Sequence, residues 1–216
     1  RARLNGERMN GYDHGALGTT LGRTWVLRLE YALSDTLSLS TRAFVGDYRY
    51  ESTVIYDGEP NGYPAAAGWY GAELQLVSTA LAAHTLMLGV EYQRNQRLDQ
   101  NVLELADPAS DYNWRDRRDG YRAGIYVQDE WRLGDTLSAT LGLRADHNGV
   151  TGTRLSPRAG LIWSASAQTA FKLLYGRAHR APNAYQAYYS EEGFLDPNPE
   201  LDGETVDTFE IVADHR

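Results

Sequence analysis

The 216-residue chain contains no cysteine, only two methionines and only four phenylalanines. Without cysteine there is no disulfide framework, no thiol nucleophile and no thiolate metal ligand, and the redox compartment is left open. Long apolar runs are missing too: nothing approaches the roughly 18 consecutive apolar residues of a membrane helix. Positive charge is scarce, with 21 Lys and Arg against 29 Asp and Glu. That balance argues against a nucleic-acid surface, which needs basic patches. The opening Arg-Ala-Arg-Leu-Asn-Gly-Glu-Arg-Met-Asn has no secretory leader pattern, so a mature chain or a piece of a longer one is expected.

Recognisable chemistry is equally sparse. There is no G-x-S-x-G, no H-E-x-x-H and no phosphate-binding loop. The histidines at 14, 84, 147, 179 and 215 share no metal-ligand spacing. Asp47, Asp146 and His147 could be drawn into a catalytic scheme at a barrel rim, but nothing in the sequence brings them together. The expectation is a protein that is not an enzyme, with no cofactor and no metal site.

What the chain does have is strict alternation. Tyr121, Ala123, Ile125, Val127, Trp131 and Leu133 occupy every second place or nearly so, and after Gly134-Asp135 the pattern resumes with Leu137, Ala139, Leu141, Leu143 and Ala145. Arg122, Gln128, Glu130, Thr136, Ser138, Thr140, Arg144 and Asp146 lie between them. Period two sends alternate side chains to opposite faces of a sheet, so each strand carries one apolar and one charged face.

The hairpin recurs. Trp25, Leu27, Leu29, Tyr31 and Leu33 share a face before Ser34-Asp35, followed by Leu37, Leu39, Ala43 and Val45. Near Gly46-Asp47 the parity changes to Tyr48, Tyr50, Val54 and Tyr56, which predicts a one-residue bulge. A third hairpin turns at Ala82-Ala83, a fourth at 165–168, and a last strand carries Phe209, Ile211 and Ala213. By alternation there are about nine strands.

Tight connections at 34–35, 82–83, 134–135 and 165–168 alternate with longer polar segments at 57–68, 105–120, 147–154 and 188–204. Transmembrane barrels have this asymmetry. Tyr31, Trp131, Trp163 and Phe171 lie near the tight turns, where an interfacial girdle would sit. A soluble β-sandwich also alternates, but its strands are usually about 5–6 residues long. Here stretches such as Leu86 to Asn95 match the roughly 9–11 residues that cross a bilayer. The fold class read from the sequence is all-β, an antiparallel up-and-down transmembrane β-barrel, with a complete small barrel (porin or enzyme) and a soluble sandwich module as alternatives.

Four pieces of sequence sharpen this: Tyr-Val-Gln-Asp-Glu-Trp-Arg-Leu at 126–133, Ser-Pro-Arg-Ala-Gly-Leu-Ile-Trp at 156–163, the run from Leu173 to Tyr189 with Arg-Ala-Pro at 180–182, and Asn-Pro-Glu-Leu-Asp-Gly-Glu-Thr at 198–205. In this order they resemble the barrel of a TonB-dependent outer-membrane receptor. The resemblance covers about 120–216 directly, and hairpin pattern alone supports the first half. It implies an uptake protein of the Gram-negative outer membrane, with a plug domain inside a barrel of about 22 strands. Its partners would be outer-membrane lipid, a scarce small-molecule nutrient such as a ferric siderophore or cobalamin, and the TonB complex acting through the plug. No plug or TonB-contacting box is found in 1–216, and the terminal Val-Ala-Asp-His-Arg lacks the family's final aromatic. The whole of 1–216 is therefore expected to be an internal part of a larger barrel, a partial barrel of about nine strands without plug or C-terminal strands.

In such a barrel Arg28, Glu30, Arg42, Glu73, Gln75, Glu91, Gln128, Glu130, Arg144, Arg158 and Lys172 would face the lumen. Mixed aromatic and charged residues on outer loops are the usual composition of recognition surfaces, which makes Tyr56, Tyr63, Tyr112, Trp114, Tyr185, Tyr188 and Tyr189 candidate ligand contacts. Loop tyrosines and an outer girdle are the plainer reading of the same residues. Arg177, His179 and Arg180 are expected at the upper lumen, as a charged network against the plug or as cationic contacts for an anionic ligand. Oxygens at Asp196, Asn198, Glu200, Asp202 and Glu204 faintly follow a calcium loop, but Leu201 stands where that loop needs glycine.

Overall fold

The computed structural model describes residues 2–11, 17–56, 58–191 and 195–216, and side chains for 19–55, 58–191 and 195–216. Eleven strands form one antiparallel sheet: β1 (Ala2–Gly11), β2 (Leu17–Ser34), β3 (Leu37–Tyr56), β4 (Glu59–Gly62), β5 (Ala65–Ser78), β6 (His84–Glu104), β7 (Trp114–Arg132), β8 (Leu137–Asn148), β9 (Gly152–Ser164), β10 (Thr169–Arg180) and β11 (Glu204–His215). One helical turn, α1 (Ala184–Tyr188), interrupts the last connection. The strands follow one another as a meander. β4 and β5 continue each other across Tyr63-Pro64, both lying between β3 and β6. A sandwich needs two sheets, and the described residues form a single one. The strand count exceeds the expected nine because Ala2–Gly11 pairs with β2 and β4 extends its hairpin upward.

The faces are inverted relative to a water-soluble protein. Leu74 and Leu76 are 48% and 37% exposed, whereas Glu73 and Glu91 on the other face retain 24% and 13% of their side-chain exposure. Polar side chains are the crowded ones and apolar ones the open ones, which is the arrangement of a barrel wall with lipid outside and water inside. Cross-strand register explains the crowding. Gly46 leaves room for the Trp69 ring and Gly89 for that of Tyr126, and a β-carbon at either would collide with the ring.

Ion pairs fill the same face. Arg42 meets Glu73 at 3.1 Å, Glu91 takes Arg122 at 3.2 Å and Arg144 at 3.0 Å, and Arg28 pairs with Glu30 at 3.1 Å. Tyr126 donates to Glu73 (3.1 Å) and accepts from Gln75 (3.0 Å), and Arg158 donates to Gln128 (3.2 Å), which donates to Glu130 (3.2 Å). Ten of the eleven expected lumen residues join this lattice; Lys172 shares its face through the β9–β10 register, opposite Ile162.

The bulge expected near Gly46-Asp47 is absent. β3 pairs with β2 without interruption from Leu17↔Thr53 to Ala32↔Ser38, and with β5 from Leu37↔Ser78 to Tyr50↔Ala65. The strand keeps its alternation while its surroundings change. Beyond Val45 the outward positions become Asp47, Arg49 and Glu51, and Tyr48 and Tyr50 turn inward. The strand is leaving the apolar layer. Irregularities occur instead at Ala32/Ser34, at Gly68/Trp69 against β6, and between Asn95 and Leu98.

Two expected loops shrink for the same reason. The 57–68 segment is mostly β4 and β5, and only 149–151 remains of 147–154. At roughly 3.3 Å per residue, the 21 residues of β6 reach about 70 Å, well beyond a ~30 Å hydrocarbon layer even when tilted. Above that layer water wets both faces, so a strand need not alternate in hydropathy. The asymmetry persists in 105–113 and 181–203, set against short turns at 35–36, 79–83, 133–136 and 165–168.

Candidate functional site at the loop end

The connection 181–203 folds back onto the inner face of the wall. Pro182 cannot extend the β10 ladder, and Asn183 then caps α1. Its side chain accepts from the Gln186 N–H (2.9 Å), and its own N–H donates to the Gln186 side chain (3.1 Å). Both bonds of a capping box are made. Arg180 donates to the same Gln186 oxygen (3.0 Å) and holds Glu204 on β11 (2.6 Å), which anchors the root of the loop.

So placed, α1 covers the upper ends of β4, β6 and β7. Ala187, Tyr189, Val102, Gln100 and Ser52 are the most enclosed side chains among the described residues. Trp114 meets Tyr189 edge to face (5.5 Å), Tyr185 lies against Tyr189 (4.6 Å), and the Arg118 guanidinium sits 3.5 Å from the centre of the Tyr188 ring. Glu191 ties the cluster to the wall, accepting from Tyr63 at 3.1 Å and Tyr189 at 2.8 Å. Burial, and then the adjacent Glu191 carboxylate, push the Tyr189 phenol well above its ordinary value.

Five of the candidate contacts thus come together: Tyr63, Trp114, Tyr185, Tyr188 and Tyr189. Arg180 stands at their edge. Arg177 does not join them. It shares the outward alternation with Tyr175 and forms a two-pronged pair with Asp207 (2.9 and 3.0 Å). Tyr112 lies in the 105–113 loop and is 66% exposed. The side chain of Tyr56 lies outside the described residues. Arg118, Glu191 and Gln100 were not singled out from the sequence. Arg118 sits in the charge run Arg115-Asp116-Arg117-Arg118, whose alternation would have placed it beside Trp114 had that segment been read as strand.

One of the oxygens that follow a calcium-loop spacing is engaged within the protein. Asp202 is held by Arg154 (2.7 Å) and by the Gly203 N–H (2.8 Å), and these contacts draw its carboxyl below the usual range. No group of three or more His, Asp or Glu suited to a metal ion occurs among the described residues. The cluster therefore gathers aromatic rings, one guanidinium and a part-buried carboxylate at the loop end of the polar inner face.

An inverted antiparallel wall with short turns at one end and a docked aromatic loop at the other is the pattern of a transmembrane β-barrel. Residues 2–214 match the family model described as TonB dependent receptor-like, beta-barrel, and the chain belongs to that family. Among solved structures it is similar to the siderophore receptor PirA from Pseudomonas aeruginosa (18% identity, TM-score 0.57, all of this chain and 49% of that one). It is also similar to the copper transporter OprC (14%, TM-score 0.78, all of this chain and 40% of that one). A third is the ferric-catecholate import receptor Fiu from E. coli K12 (13%, TM-score 0.68, 93% of this chain and 39% of that one). At these identities the likeness concerns the fold. The chain spans less than half the length of each of these three structures. No curated protein sequence matches it significantly.

Proposed function

We propose that this chain is part of the barrel wall of a Gram-negative outer-membrane receptor that takes up a scarce small-molecule nutrient. The energy would come from the TonB complex, acting through a plug domain carried elsewhere in the receptor. The cargo class that fits is a metal-carrying small molecule such as a ferric siderophore, or cobalamin. The similar structures are named for siderophores and copper, and the exposed Tyr185 ring, backed by the buried Tyr189, suits stacking on a ligand's rings. The single observation that carries the reading is this cluster, set at the loop end of a polar inner face. The ion-pair lattice below it would line the lumen and support the plug.

The test is ligand binding by the full receptor containing this segment. Tryptophan quenching would be followed with a ferric catecholate, a ferric hydroxamate, cobalamin and copper as probes. One probe should quench saturably, and Tyr185→Ala should weaken it about tenfold, the scale of one lost aromatic contact. Saturable binding left unchanged by Tyr185→Ala and Arg118→Gln would remove this cluster from the binding surface.

A further inference from the structure

The outward face carries a second feature, just above the apolar layer. Trp25, Val45 and Tyr70 form one cross-strand row, and two residues further up the register runs Arg23, Asp47, Gly68, Arg97. The next row is Leu21, Arg49, Ala66, Asp99 and Arg117. β5 contributes only Gly68 and Ala66 to these rows, so long side chains from β3 and β6 stand around a strand with almost none. The result is a hollow of about 540 Å³ bordered by three arginines, Arg23, Arg49 and Arg97, and one carboxylate, Asp47. The irregularity at Gly68/Trp69, with Gln96 beside it, shapes its far side.

Charge satisfaction singles this place out. Arg97 is paired with Asp99 at 2.5 Å, Arg94 with Asp119, and Arg117 stands 3.8 Å from Asp99. Arg23 and Arg49 are exposed and form no ion pair among the described residues. Across a chain of net charge −8, arginines 23, 49, 94, 97 and 117 face aspartates 47, 99 and 119 on this outward band. Guanidinium is a weakly hydrated, planar donor that matches phosphate oxygens. A site at the level of an aromatic row, where Trp and Tyr mark the boundary of hydrocarbon and headgroups, meets such oxygens on lipids.

We infer that the hollow between Arg23, Arg49 and Arg97 binds the phosphate-bearing headgroup of an outer-leaflet lipid. The lipid's chains would run down over Trp25, Val45 and Tyr70. The inference rests on the outer-membrane reading above. Its consequence is an annular lipid held in a fixed place rather than exchanging freely along the wall.

The experiment uses the full receptor containing this segment, delipidated in detergent and examined by native mass spectrometry. The probes are bis-phosphorylated lipid A and the same lipid with its phosphates removed. The unaltered receptor should retain the phosphorylated form. Arg23→Gln with Arg49→Gln should weaken retention about tenfold, as expected for lost charge-assisted contacts, and Arg23→Lys with Arg49→Lys should preserve most of it. Gly68→Leu, which fills the hollow without changing charge, should weaken it as well. A β-carbon at 68 meets nothing closer than 3.5 Å, so the strand tolerates it. Equal retention of the dephosphorylated lipid, or retention indifferent to both the Gln pair and Gly68→Leu, would overturn the inference, as would displacement by an equal concentration of inorganic phosphate. A polarity probe at Leu143 in the same receptor separates the two levels. Lipid-like signal with no retained lipid sinks only the headgroup site, and a watery signal sinks the membrane reading and the site with it.

Discussion

Tyr126 lies directly opposite Gly89 in the β6–β7 register, and its ring occupies the space that a side chain at 89 would need. From there the phenol reaches two strands away, to Glu73 and Gln75. One missing side chain thus lets three strands share a hydrogen-bonded unit. Gly89→Leu should push the ring off these partners and cost about 1–3 kcal/mol, the usual penalty of overpacking. The check is the temperature at which the receptor loses its folded, fast-migrating form on a gel. Gly134→Leu, in a turn with open space around it, should leave that temperature nearly unchanged.

Glu91 collects guanidinium groups from two adjacent strands, Arg122 on β7 and Arg144 on β8. Replacing it with Ala leaves Arg122 without its carboxylate, whereas Arg144 keeps Asp146 at 2.6 Å. The expected loss is about 2 kcal/mol, below the penalty for a fully buried pair because water reaches this face. Arg28→Ala, whose pair with Glu30 is more than half exposed on both sides, should change little. Chemical unfolding of the reconstituted receptor measures both.

The outward stripe should reject charge in proportion to depth. Leu143→Arg should cost about 2–4 kcal/mol if the position lies near the bilayer midplane. Thr140→Arg, one face over, should be tolerated. Equal losses at the two positions would mean that neither face is special.

Loop docking should respond to alkaline pH. The Tyr189 phenol is raised by burial and by Glu191, so the docked loop favours the protonated form. The sign follows from linkage. Its contribution is complete below the ordinary tyrosine value of about 10 and falls as pH rises above it. Quenching of Trp114, which packs on Tyr189, should therefore change above that pH. Tyr189→Phe should abolish this dependence, and Glu191→Gln should lessen it.

Much of this wall was legible because lipid imposes a period of two. Leu137 to Ala145 and Leu155 to Trp163 reveal their faces in sequence, since a one-residue slip would put charge in hydrocarbon. The legible region ends where that constraint ends. Above Val45 both faces are wet, and the change of pattern at Gly46-Asp47 looks like a bulge when it marks the edge of the apolar layer. For the same reason β4 and the upper parts of β6 and β7 resemble loops. At the site, Tyr185 to Tyr189 could be nominated by composition. Arg118 and Glu191 could not, because their roles depend on a loop folding back over the 70 positions that separate Arg118 from Tyr188.

The measurement that most directly tests this account is the environment of the two faces in the membrane-reconstituted receptor. Single cysteines at Leu141, Leu143, Leu161 and Leu173, compared with Thr140, Arg144, Arg158 and Lys172, would carry a polarity-sensitive probe, and residues 1–216 contribute no competing thiol. The barrel-wall account predicts lipid-like signals at the four leucines and watery ones at the other four. Watery or uniformly protein-buried signals at the leucines would contradict it.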